Sequence, residues 1–133
     1  MKFFLLILSV TSALRVKDPN IPVIVFGGMG SKCSHPDYKN LVKHLHEGLS
    51  THVECFETNI LGSLKKQADR ACQFMKQNPA YNSKTEINVV GQSQGGLIAR
   101  YIVEECDMHP KVRNLMTIGT PNMGFSEIPE GGC

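Results

Sequence analysis

Ser93 stands at the centre of Gly91, Gln92, Ser93, Gln94 and Gly95, inside the longer stretch INVVGQSQGGLIARYI (87–102). A serine hydroxyl becomes a useful nucleophile when the backbone lifts it clear of a strand end and a helix begins directly behind it. The turn that does this is tight enough for a Cβ on either side of the serine to clash, hence the flanking glycines. Gly96 extends the small surface that faces the sheet. Free N–H groups and the positive dipole end of the following helix would stabilise an anion forming beside Ser93. The bland alternative is a glycine-rich turn without chemistry, since the five-residue pattern is common. An apolar strand before it and an apolar-periodic helix after it favour the nucleophile.

A serine nucleophile also needs donors for the oxyanion. One is the backbone N–H of the following residue, Gln94, and a second is expected from the loop after an adjacent strand. That loop is GGMG (27–30), with the Met29 N–H as the expected donor. The competing readings are a plain turn or a phosphate-binding loop, but GGMGSK lacks both the P-loop spacing and GxGxxG. Cys33, Cys55, Cys72, Cys106 and Cys133 form no close CxxC pair, so zinc ligation is poorly supported. Nothing in the sequence implies a metal or an organic cofactor.

The elements that must position these residues alternate along the chain. IPVIVF (21–26) is a short β-branched run that leaves into the glycine loop. Tyr38, Leu41, Val42, Leu45 and Leu49 fall at helical spacing. HVECFE (52–57) is a second strand, and Leu61, Leu64, Ala68, Ala71, Cys72 and Met75 form one helical face ended by Asn78 and Pro79. After a turn at YNSK (81–84) come a strand at 85–90, a helix at 95–106 and a strand at 114–119. This βαβαβαβ order calls for a parallel sheet with helices on both faces. In such a doubly wound sheet the first and third strands are neighbours, so GGMG and the serine turn open into one crevice.

The 133 residues are a single-domain length, and a hydrophobic fraction of 41% is enough to build a core. The net charge of +2 comes from 14 Lys and Arg against 12 Asp and Glu. No basic run or arginine cluster accompanies it, so nucleic acid is not an expected partner. MKFFLLILSVTSA (1–13) has the charge, short apolar core and small-residue exit of a signal peptide, with cleavage expected after Ala13. Its apolar run is well short of the ~20 residues needed to span a bilayer, and no stable membrane span is expected elsewhere. Secretion makes disulfides the natural state of the cysteines, and an odd count leaves at least one without a partner, Cys133 being the obvious candidate.

Three of these segments together resemble the palmitoyl-protein thioesterases. GGMGSKC (27–33) is similar to the HGMGDSC stretch of that family, GQSQGG and its helix ending at Cys106 resemble its nucleophile segment, and IGTPNMGFSEIPEGGC (118–133) resembles the strand and loop that follow. The likeness covers about residues 19–133. It implies an α/β-hydrolase fold that removes palmitate and similar acyl groups from protein cysteines in the lysosome, with S-acylated proteins or acyl thioesters as substrates. It also implies Ser93 as nucleophile, Met29 and Gln94 as oxyanion donors, and a Cys72–Cys106 disulfide. Two departures stand out: Gly27 replaces the family's histidine, and Ser34 stands where a second cysteine would be. Cys33 is left either to pair with Cys55 or to stay free. GTPNMG (119–124) is also close to the GTPHxG of general lipases, which keeps a secreted lipase or esterase acting on lipid esters open as the alternative.

An α/β-hydrolase triad runs Ser, then Asp or Glu, then His. After Ser93 the acids are Glu104, Glu105, Asp107, Glu127 and Glu130, and the sole histidine is His109, which follows the far end of the helix and reads as a surface loop residue. His44 and His46 read as solvated or packing residues of the first helix, and His52 also precedes Ser93. His35 lies near the oxyanion loop and alone merits mutation. Four strands and three helices make about half of such a hydrolase. The expectation is therefore a signal peptide over 1–13 and a partial α/β-hydrolase domain over 19–133, truncated after the fourth strand of this chain. A noncatalytic product is the third possibility, because a nucleophile without base and acid loses several powers of ten in rate. Oligomeric state and acyl-chain length are not legible.

Overall fold

A computed structural model of the chain describes residues 18–59 and 62–124. The elements are β1 (Val23–Phe26), α1 (Pro36–Leu49), β2 (Val53–Phe56), α2 (Leu64–Gln77), α3 (Pro79–Asn82), β3 (Glu86–Gln92), α4 (Gln94–Glu105) and β4 (Lys111–Ile118). The four strands form one parallel sheet in the order β2-β1-β3-β4. Helices cover both faces, the α/β arrangement that the alternating pattern requires.

Side chains alternate across β1 and so divide the core in two. Val23 and Val25 join Tyr38, Val53 and Val90 against α1, with Leu41, Val42, Leu45 and Leu49 packed on the same cluster. Ile24 and Phe26 face the other way, onto Ala68, Ala71 and Met75 of α2 and Ile98, Ala99 and Ile102 of α4. Phe26, Phe56, Phe74 and Tyr81 form a chain of tilted and edge-on rings, with centroids 5.4 to 6.3 Å apart, that closes this larger cluster. Burial, then the nearby Glu54 carboxylate that accepts its hydroxyl, holds Tyr81 protonated far above the ordinary tyrosine range. The Sγ atoms of Cys72 and Cys106 are bonded and tie α2 to the end of α4, with Cα atoms 5.8 Å apart. Cys33 and Cys55 form a second disulfide, settling the choice that spacing left open.

Several boundaries differ from the sequence expectations. The YNSK turn overlaps a one-turn helix, α3, whose start is set by Pro79 and by the Asn78 side chain accepting the Ala80 N–H at 2.9 Å. Helix α1 begins at Pro36, two residues before the periodic apolar positions, with His35 as its cap. Strand β4 begins at Lys111 rather than 114, because the Lys111 N–H reaches the Thr85 carbonyl at 2.9 Å and Arg113 pairs with Glu86 at 3.3 Å. These interactions join residues more than 25 positions apart, so no local pattern announces them. Leu115, Met116 and Ile118 of β4 are exposed, Met116 by 58%. Among the described residues β4 pairs only with β3, and its exposed apolar side chains depart from the covered faces usual in a parallel sheet.

The expected signal peptide, Glu127, Glu130 and Cys133 lie outside the described residues. Among those described, no helix is long and apolar enough to cross a membrane, and no group of three or more His, Cys, Asp or Glu is placed to hold a metal ion.

Candidate active site

The carboxyl ends of β1, β3 and β4 lie side by side, with Phe26 in register with Gly91, and Gln92 with Ile118. The order 2-1-3-4 reverses direction at β1 and β3, so the loops leaving these strands part and leave a crevice between them. GGMG leaves β1 there, and GQSQG leaves β3.

Ser93 is the residue between β3 and α4, with φ 51 and ψ −123. Apart from Ser50 it is the one described non-glycine residue with positive φ. An L-residue in such a conformation costs on the order of 1–3 kcal/mol and persists only where its surroundings impose it. Two hydrogen bonds do so here. The Ser93 N–H donates to the Ile118 carbonyl at 2.8 Å, and the Gly96 N–H donates to the Ser93 carbonyl at 3.0 Å.

The glycines make the turn sterically possible. A Cβ at Gly91 would lie 2.4 Å from the Gly96 Cα, and one at Gly95 would lie 2.2 Å from the Phe26 carbonyl oxygen. One at Gly96 would lie 1.8 Å from the Thr120 Oγ1. The helix start is thus pressed onto β1, β3 and the loop after β4 at once.

The loop after β1 reaches the same place. A Cβ at Gly28 would come within 3.5 Å of the Ser93 Cβ. The Gly28 N–H donates to the Tyr38 hydroxyl at 2.9 Å, and the Gly28 carbonyl accepts from the Thr58 hydroxyl and from the Ser31 N–H. Tyr38 in turn donates to the Gln92 Oε1 at 2.6 Å. Met29 is half exposed, and among the described residues no group accepts its N–H. Gln94 is the first residue of α4, one of the positions whose N–H has no acceptor within the helix. A cleft of about 720 Å³ opens beside this turn, walled by Met29, Ser31, Lys32, His35, Tyr38 and Gln92.

No described histidine is hydrogen-bonded to the Ser93 hydroxyl. His35 accepts weakly from the Asp37 N–H at the start of α1, and His44 bonds the Asn40 carbonyl. His46 bonds the Thr51 carbonyl, and His52 lies 3.4 Å from Glu54. His109 is exposed four residues past the carboxyl end of α4, whose twelve residues span about 18 Å from the turn at Ser93. Glu104, Glu105 and Asp107 are exposed at that same end.

Sequence reasoning found the serine turn and the loop that faces it, and missed the side chains that join them. Tyr38 reads as one more apolar position of a helix, and Gln92 as a variable position of the glycine motif. Their meeting, across 54 residues of sequence, has no signal in either segment.

A family model described as palmitoyl protein thioesterase matches residues 22–133. The chain is 28% identical over 123 residues to the palmitoyl-protein thioesterase-dolichyl pyrophosphate phosphatase fusion 1 of Schizosaccharomyces pombe, over 85% of this chain and 19% of that protein. It is 27% identical over 145 residues to palmitoyl-protein thioesterase 1 of Caenorhabditis elegans, over 97% of this chain and 48% of that protein. The chain therefore spans about half the length of the nematode relative and a smaller share of the yeast fusion.

Proposed function

The chain belongs to the palmitoyl protein thioesterase family, and on that premise we propose that Ser93 is the nucleophile of a serine hydrolase that releases palmitate and similar long-chain acyl groups from protein cysteines. The observation that carries this reading is the positive φ of Ser93 at a strand-to-helix turn directly beside the loop after β1. The Ser93 oxygen adds to the thioester carbonyl as its proton passes to a base, and the oxyanion takes hydrogen bonds from the Met29 and Gln94 N–H groups. The carbon–sulfur bond breaks, and the cysteine leaves as a thiol carrying that proton. Water then adds to the serine ester, giving the fatty acid and restoring the hydroxyl. Thiolate is a good leaving group, so the base matters most in the second half.

Four of the histidines are engaged locally and His109 lies beyond the far end of α4, so neither the base nor its carboxylate is assigned to a described residue. The protein works in the secretory pathway, in the lysosome or outside the cell, a reading supported by the sequence of residues 1–13 and by two disulfides.

A serine-directed fluorophosphonate probe tests the assignment. Labelling of the wild type that is lost in Ser93→Ala supports the nucleophile; an unlabelled wild type favours a noncatalytic protein, the reading to which the lack of a histidine on Ser93 points. Faster hydrolysis of a palmitoyl thioester than of the matched oxygen ester supports the thioesterase, and the reverse order supports the lipid esterase suggested by GTPNMG.

A further inference from the structure

We propose that Tyr38 is a positioning residue for the oxyanion loop, a role that rests on the thioesterase reading above. Its phenol oxygen is saturated by three loop and strand groups. The hydroxyl proton goes to the Gln92 Oε1 at 2.6 Å, the oxygen accepts the Gly28 N–H at 2.9 Å, and the Ser31 hydroxyl at 3.0 Å completes the set. A phenol has one proton to give and two lone pairs to fill, so this arrangement uses its whole capacity. Gln92 immediately precedes Ser93 and Gly28 immediately precedes Met29. One buried oxygen therefore couples the nucleophile's strand to the donor's loop.

The coupling has a direction. Binding the Gly28 N–H holds the peptide between Gly27 and Gly28. The next peptide, between Gly28 and Met29, is held through its carbonyl by the Thr58 hydroxyl and the Ser31 N–H. The N–H of a trans peptide points opposite to its carbonyl, so the Met29 N–H is turned away from Thr58 and left unpartnered among the described residues. Both peptides before the donor are fixed, and the donor itself is spared for a ligand.

The ring of Tyr38 takes part as well. A Cβ at Gly27 would lie 2.8 Å from the Ser31 Cβ, 3.0 Å from the Tyr38 Cζ and 3.1 Å from its hydroxyl oxygen. A side chain at 27 would thus press on Ser31 and on the phenol together, the two side chains that hydrogen-bond to each other beside Gly28.

Tyr38→Phe keeps the ring and removes the oxygen. The first measurement is amide hydrogen exchange at Gly28, set against Val25 in the buried strand. Exchange at Gly28 should accelerate about tenfold or more relative to Val25, and an unchanged ratio would overturn the clamp. The second is Ser93-dependent turnover of a palmitoyl thioester. Loss of an aimed donor acts on the transition state, so kcat should fall about tenfold while KM stays within about twofold. A faster Gly28 exchange with unchanged kcat would make the tyrosine merely structural and overturn its part in catalysis. A wild type without Ser93-dependent turnover sinks the thioesterase reading and the catalytic role together, and the exchange ratio then decides the clamp alone.

Discussion

The Ser93 N–H donates to the Ile118 carbonyl at 2.8 Å, so the backbone of the serine turn is held by the last residue of β4. A residue at positive φ is normally a local affair of glycine, yet here its support comes from a strand 25 positions downstream. The strain at the serine and the pairing of β4 with β3 at its carboxyl end are therefore linked.

Replacing Ser93 separates strain from chemistry. Ser93→Gly should raise stability by about 1 kcal/mol, because glycine adopts φ 51 without steric penalty, although its freer unfolded chain offsets part of the gain. Ser93→Ala should leave stability near the wild-type value, since it keeps the Cβ. Urea denaturation of both variants checks this; equal stability of the two would mean that the turn carries no strain.

The glycines on α4 should differ in whether they can be rescued. Gly96→Ala meets the Thr120 side chain, with a cost of about 1–3 kcal/mol, and Thr120→Gly in the same chain should recover most of it. Gly95→Ala meets the Phe26 and Gly27 carbonyl oxygens, which no substitution removes. Thermal unfolding of the single and double variants tests the distinction, and a failure of Thr120→Gly to rescue Gly96→Ala would place the clash elsewhere.

The Cys72–Cys106 bond closes a loop between residues 34 apart. Chain-entropy arguments give a contribution of about 3–4 kcal/mol for such a loop. The double variant Cys72→Ala with Cys106→Ala should lose roughly that much in urea denaturation, and a loss below about 1 kcal/mol would mean that the packing of α2 on α4 suffices without the link.

On the surface of the same two helices, the Asp69 carboxyl accepts the Tyr101 hydroxyl at 2.6 Å and the Lys65 ammonium at 2.9 Å. The tyrosine bond first, then the lysine, holds that carboxyl below its usual range. A carboxyl with a lowered folded value favours the folded chain above its unfolded value, about 3.9, and the benefit fades as pH falls through the lower folded value. Tyr101→Phe should therefore move the Asp69 titration midpoint upward, read from the carboxyl carbon shift. A midpoint that does not move would assign the effect to Lys65 alone.

The residues that were legible in the sequence share one property: their signals are local. The β-branched run at 21–26, the apolar faces on either side of it and the glycines around Ser93 each answer to constraints within a turn or a strand. The same local reading placed β1 beside β3, since alternating strands and helices admit few right-handed arrangements. It stopped short at β4, whose first residues hydrogen-bond to the start of β3, and at α3, where a one-turn helix looks like any other turn.

By itself the sequence determined a parallel α/β sheet with a serine raised between β3 and α4, because hydrophobic period and glycine spacing are properties of neighbouring residues. The tertiary structure decided the rest. It paired Cys33 with Cys55, brought Tyr38 to Gly28 and Gln92, and set Ser93 against Ile118. Each of these joins segments between 10 and 54 residues apart, and only packing of α1 on one face and α2 and α4 on the other brings those segments within bonding distance.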